Sequence, residues 1–265
     1  QDEKISANVN VISDVRQEVE EWAKTQTREI ERLKDLERYR KEFVGNVSHE
    51  LKTPIFNIQG YILTLLEGGI DDPKINKLYL QRTEKSIDRM ISIVEDLESI
   101  TRLESGELKL RMEKFDVVRL VEEVFDMEQM MAAERKISLE FVQKPDRPVY
   151  VIADRKRITE VLSNLTNNGI KYNRKKGAVR VSLYDFDDHI MLEVADTGIG
   201  IDKKDLPRVF ERFYRVDKSR SREQGGTGLG LSIVKHIIEA HKQTINVKSK
   251  ADEGTTFTFT LEKAG

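Results

Sequence analysis

The N-terminal part of the chain alternates apolar and charged residues at helical spacing. Ile12, Val15, Val19 and Trp22 recur at intervals of three and four, the seam spacing of a coiled coil. Gln26 and Glu29 then fall on the seam, and Leu33, Leu36, Phe43 and Val47 resume it. Polar seam positions cost stability, so this stretch reads either as a region that shifts its packing or as a poor coiled coil. Proline is absent and glycine scarce up to Gly45, which predicts one nearly continuous helix over residues 1–66. In that heptad frame Val47 takes an a position and His49 a solvent-facing c position. Pro54 falls inside the helix, where its ring meets the carbonyl of Glu50; a kink there opens the turn around His49.

EGGIDDP (67–73) has the glycines, aspartates and proline of a turn before a helix start. A second helix is predicted from Lys74 to Leu103, with Leu80, Ile87, Met90, Val94 and Leu97 on its apolar stripe. Two long amphipathic helices with a short connection make an antiparallel hairpin. One hairpin cannot cover both stripes, which points to a dimeric four-helix bundle.

After LESGE (103–107) the texture changes. Leu108, Leu110 and Met112 alternate as in a strand, and Asp116 suits the N-cap of a helix bearing Leu120, Val121, Val124 and Phe125. Strands are predicted at 137–142 and 149–153, a helix at 155–172, a hairpin at 178–184 and 189–196, a helix near 228–240, and strands at 244–249 and 255–261. Residues 201–227 are polar and irregular. This order predicts a two-layer α/β domain.

Composition narrows the function. The 265 residues suit about two domains. The net charge of -2 lacks the basic excess of a nucleic-acid binder. With no cysteine, disulfides and thiolate metal sites are excluded. No run of about 18 apolar residues marks a membrane span. The chain starts with Gln, as a fragment would, and an upstream membrane anchor is left open.

Three stretches of the second half suit a polyanion. DTGIG (196–200) ends a strand; Asp196 would accept from an amino group such as that of adenine, and Gly198 and Gly200 would let backbone approach a flat ring. The same stretch also reads as an ordinary strand-exit turn. GTGLGLSIVKH (226–236) places alternating glycines before a helix, whose free N–H groups and dipole bind phosphate. In NLTNNGIKY (164–172), Asn164 and Asn168 share a helix face with Lys171 close by, and amide oxygens suit Mg²⁺ bridged to substrate phosphates.

Together with SHELKTP (48–54), these stretches resemble the H, N, G1 and G2 boxes of sensor histidine kinases of two-component signalling, in the family's order. FERFYR (210–215) is similar to its F box. The resemblance covers about residues 40–262 and is strongest to the phosphate-regulon sensor type. Gly169 departs from the family's usual alanine, a change expected to loosen the helix and leave the chemistry in place.

The resemblance implies three parts: an N-terminal signalling helix (1–40), a dimerisation and phosphotransfer hairpin (41–106), and a catalytic domain (107–265) with the ATP-binding fold of gyrase and Hsp90. It implies that ATP and Mg²⁺ are bound, with Asp196 on adenine and Asn168 and Asn164 on the metal. Lys171, Tyr172, Gly226, Thr227, Gly228, Leu229 and Gly230 would line the nucleotide, under a lid formed by about 202–227. Arg215, Arg220 or Arg222 would meet the γ-phosphate, and Arg212 reads as a solvated charge. Hydrolysing relatives carry a glutamate base where this chain has Asn164, so ATP is kept for another nucleophile. That nucleophile is His49, with Glu50 as general base. Thr53, one turn on, would orient a water for phosphatase chemistry, and Phe56 and Gly60 continue the face toward a response-regulator receiver domain. His189, His236 and His241 read as structural. The implied protein is a homodimer, the cytoplasmic portion of a bacterial inner-membrane sensor, and no nucleic-acid partner is expected. Alternatives are a sensor acting mainly as a phosphatase and a nucleotide-binding coiled-coil scaffold that transfers nothing.

Overall fold

The computed structural model describes residues 2–104, 110–216 and 226–264, and the side chains of these except 2–14, 36, 39, 103 and 104. Ile12, Leu36, Leu108, Arg220 and Arg222 of the sequence reading therefore lie outside the described residues or side chains. The chain forms two compact units, residues 1–53 and 54–265.

Helix α1 runs Asp2–Leu66 and passes through Pro54. In the first unit it exposes Val15, Val19, Trp22 and Leu33. Its ion pairs, such as Arg16–Glu20 and Lys41–Glu37, are local and exposed, each contributing only a few tenths of a kcal/mol, about the size of an isolated helix pair.

In the second unit α1 ends before Gly68, whose φ of 108 is left-handed. Asp72 then accepts from the Lys74 N–H at 2.8 Å, and α2 spans Asn76–Glu104. Among the described side chains of α2, the fully buried apolar ones are Ile93 and Ile100, in register with buried Thr83 and Ser86. Of the expected stripe, Leu80, Ile87 and Val94 are exposed, while Met90 and Leu97 are half-buried. The helix thus carries two stripes, one covered within the chain and one uncovered.

The α/β layer holds β1 (Glu113–Asp116), α3 (Val117–Arg135), β2 (Ser138–Gln143), β3 (Tyr150–Ala153), α4 (Arg155–Lys171), β4 (Ala178–Asp185), β5 (His189–Asp196), α5 (Gly230–Ala240), β6 (Ile245–Lys250) and β7 (Gly254–Lys263). The first strand starts at Glu113, beyond Leu110 and Met112, which have no regular structure. Asp116 caps α3 as expected, accepting from the Val118 N–H at 3.0 Å. Asp154 caps α4.

The sheet order is β1-β3-β7-β5-β4-β2, with β6 also paired to β7. Among the described residues only β2 pairs in parallel, with β4. Alternate residues Ile190, Leu192 and Val194 of β5 and Phe257, Phe259 and Leu261 of β7 enter one core with Val161, Leu162 and Leu165 of α4 and Ile233, Val234 and Ile237 of α5. Period two in the strands meets the helical period in the covering layer, and each large apolar side chain so buried contributes about 1.5–3 kcal/mol. Ile100 of α2 belongs to the same core.

Candidate functional site

Asp196 ends β5, and its Oδ1 accepts from the Gly198 N–H at 2.8 Å and the Thr255 N–H at 3.3 Å. Burial pushes this carboxyl up to about 6, against the pull of those two backbone donors. Both bonds fall on Oδ1, which leaves Oδ2 geometrically suited to a donor from outside the strand. Thr255 was not among the residues singled out from sequence, because only the β5–β7 register brings it beside Asp196.

The glycines here answer first to the protein's own packing. A Cβ on Gly198 would stand 2.5 Å from the Tyr172 carbonyl oxygen. Gly200 has φ +67 and would meet the Lys250 carbonyl oxygen at 2.0 Å, so only glycine suits it. The reading of these two as room for a ring is thus joined by a demand independent of any ligand. At Gly169 a Cβ would lie 2.9 Å from Val179 and 3.4 Å from the Cβ of Asp196, so α4 packs closely there on the sheet beneath Asp196.

One helix turn away, the Asn164 amide nitrogen donates to the Glu160 carbonyl at 3.0 Å. Its Oδ1 then faces the start of α5, 2.7 Å from where a Cβ on Gly230 would stand. Asn168, one turn further along α4 and in its last turn, is half-buried. Among the described residues no group of three His, Cys, Asp or Glu could hold a metal ion. The donor set at this place is amide oxygen, which suits a hard cation that keeps phosphate and water ligands.

At the C-terminal end of α4, positive charges converge. A Cβ on Gly226 would lie 3.2 Å from both Lys171 Nζ and the Tyr172 hydroxyl. Arg215 donates to the Gly226 carbonyl. Arg135 of α3 donates to the Lys171 carbonyl at 2.9 Å. Burial, then the charges of Arg135, Arg215 and Arg89, lower the Lys171 ammonium to about 8. Like charges brought this close to a half-buried lysine make a field that attracts an anion. Arg135 and Arg89 were missed from sequence; both lie far from the boxes along the chain.

Thr227 and Leu229 complete the turn into α5: the Thr227 hydroxyl accepts from the Leu229 N–H at 3.2 Å. It also donates to Asp96 Oδ2 of α2 at 2.7 Å. Gly228 takes φ +75, and its carbonyl receives the Phe213 N–H at 2.9 Å. The aromatic Phe210 packs edge-on to Phe257, with centroids 6.2 Å apart. Arg212 is not a solvated charge: its guanidinium bonds His236 Nε2 at 3.1 Å. His241 is buried, accepting the Asp154 N–H at Nε2 and so donating from Nδ1 to the Ile237 carbonyl. It is a structural histidine, as expected. Residues 217–225 of the expected lid lie outside the described residues; its described part includes the short turn Leu206–Arg208.

In the first unit, His49 is exposed and Glu50 half-buried. The Thr53 hydroxyl donates to the His49 carbonyl at 3.3 Å, so it lies one turn below the histidine as the spacing predicts. Phe56 is exposed on the second unit's part of α1, and a Cβ on Gly60 would touch nothing. That stretch of surface is open.

The fold and these two sets of residues define a helical hairpin joined to an α/β ATP-binding domain. Residues 153–265 match the family described as histidine kinase-, DNA gyrase B- and HSP90-like ATPase. Residues 39–106 match the His Kinase A phospho-acceptor domain. The chain is 39% identical over 229 residues to sensor histidine kinase WalK of Bacillus subtilis, covering 85% of this chain and 37% of that protein. It is 37% identical over 232 residues to the phosphate regulon sensor protein PhoR of Pseudomonas aeruginosa, covering 87% and 52%. Among solved structures, histidine kinase ThkA in complex with response regulator protein TrrA superposes with a TM-score of 0.68 at 26% identity, covering 84% of this chain and 61% of that one. The chain belongs to the sensor histidine kinases of two-component systems. It spans about a third to a half of the length of these curated relatives. Its identities to WalK and PhoR are nearly equal, so the likeness to phosphate-regulon sensors is shared with the WalK type.

Proposed function

We propose that this chain is the kinase core of a sensor histidine kinase, moving the γ-phosphate of ATP to His49 and then to an aspartate of a response regulator. One observation carries the reading: the phospho-acceptor match (39–106) encloses His49, and the ATPase match (153–265) encloses every box from Asn164 to Gly230. One imidazole nitrogen of His49 attacks the γ-phosphorus as the bond to ADP breaks. The proton on the other nitrogen passes to Glu50. Asp196 accepts from the adenine amino group. Asn168 and Asn164 hold Mg²⁺, which would neutralise phosphate charge. Lys171, Tyr172, Arg215 and the 226–230 backbone hold the phosphates, with Gly198 and Gly200 beside the base. The cation cluster around Lys171 supports that anion reading.

Phosphatase activity toward the regulator rests on Thr53, whose hydroxyl stands one turn from His49. Phe56 and Gly60 dock the receiver domain. The uncovered stripe of α2 supports a homodimer through a four-helix bundle, with 1–40, 41–106 and 107–265 as signalling, phosphotransfer and catalytic parts. No helix of the described residues is long and apolar enough to cross a membrane; we assign the chain to the cytoplasmic side of an inner-membrane sensor.

Incubation with γ-labelled ATP and Mg²⁺ tests the reading. An acid-labile, base-stable label is expected, absent in His49→Ala. A label retained by that variant sinks it. Thr53→Ala should slow regulator dephosphorylation and leave labelling intact.

A further inference from the structure

One long-range polar contact at the nucleotide site comes from outside the α/β layer. Asp96 of α2 accepts the Thr227 hydroxyl at 2.7 Å. Thr227 in turn receives the Leu229 N–H, one of the donors at the start of α5 that would otherwise face an anion. Asp96 shares a helix face with Ile93 and Ile100, three residues before and four after it. Both isoleucines are fully buried, and Ile100 sits in the core with Leu229 and Ile233. Alongside, Ser99 donates to Glu160 of α4 at 3.3 Å, and Arg157 pairs with that glutamate at 2.8 Å. One face of α2 is thus docked on the ATP-binding domain beside its phosphate loop.

A carboxylate at that place opposes a phosphate. It repels a second anion and occupies the hydroxyl of the loop that would receive it. Burial raises this carboxyl to about 6, the Thr227 bond opposes the rise, and Glu160 and Glu95 add to it; near neutral pH the group is ionised.

We propose that Asp96 is a positioning residue that latches the phosphate loop: it holds Thr227 on α2, and the phosphates of the nucleotide must displace it to bind. Filling the site then loosens the hold of α2 on the catalytic domain, linking nucleotide loading to release of that domain. The inference rests on the ATP reading above.

The test is calorimetric binding of a non-hydrolysable ATP analogue with Mg²⁺ to the whole chain near pH 7.5. Asp96→Ala should bind about tenfold tighter, equivalent to about 1.4 kcal/mol. Asp96→Asn, which keeps an acceptor and loses the charge, should fall between it and the wild type. The ATP concentration that half-saturates His49 labelling should drop in the same order, with no fall in the rate at saturation. A merely structural aspartate would not yield tighter binding. Circular dichroism checks that each variant folds, and the near-isosteric Asn variant covers failure of the Ala one. Measurable affinities that are equal in all three forms, or weaker in the variants, overturn the latch and leave the ATP reading standing. Binding by no form, wild type included, overturns the ATP reading and the latch with it.

Discussion

The helix around His49 and the α/β domain around Asp196 are built on opposite plans. Near His49 the hydroxyl hydrogen bonds are local: Thr53 reaches back one turn, and Ser48 does the same to Val44. Near Asp196 the contacts are remote. Its second donor is Thr255, 59 residues away, Lys171 is held by Arg135 across 36, and Asp96 reaches Thr227 across 131. The comparison teaches that an acceptor site needs exposure and a helix, whereas a binding site needs burial and convergence. Burial is what shifts Asp196 and Lys171 from their ordinary values.

Three measurements sharpen this contrast. The largest effect is expected at the buried carboxylate. Asp196→Asn replaces an acceptor with a group that presents donors to the adenine amino group, and nucleotide affinity should fall about 100-fold or more. Retained affinity in a titration would mean that the base is held elsewhere.

Next comes pH. Lys171 is lowered to about 8, so raising pH from 7.5 to 9 removes most of its charge, and the analogue should bind about tenfold more weakly. ATP phosphates are already ionised in that window, and Lys171→Met should flatten the profile. The stability sign is the reverse. Between about pH 8 and 10.5 the unfolded chain binds more protons at this lysine, so its contribution to folding improves as pH rises. A charged Lys171 is therefore a strain on the nucleotide-free fold, which a bound anion relieves.

The smallest effect belongs to the frame. Asp116→Ala removes the side-chain acceptor shared by the Val118 and Val149 N–H groups, and should cost about 1 kcal/mol in urea unfolding. Labelling of His49 should be unchanged, since the cap touches neither set of functional residues.

Much of the plan was legible beforehand. The long first helix, the hairpin at 178–196, the Asp116 cap and the late helix all follow from period and punctuation. So do the candidate residues, because the boxes are local strings. Less legible was α2. Its apolar residues support two stripes, and periodicity cannot say which one the chain covers itself. Ile93 and Ile100 are fully buried, Ile100 in the core of the α/β layer, while Leu80, Ile87 and Val94 stayed out. The close packing at Gly169 escaped the sequence for a related reason: its neighbour is Val179 on a strand, and helix propensity does not see a sheet.

By itself the sequence determined the elements, their order and the chemistry each box can offer, since those depend on neighbours within a few residues. Only the tertiary structure decided that Thr255 steadies Asp196, that Arg135 and Arg89 join Lys171, and that Asp96 takes the hydroxyl of Thr227. Such pairs lie far apart along the chain and follow no period. Sheet register and helix docking alone bring them within hydrogen-bond or electrostatic reach.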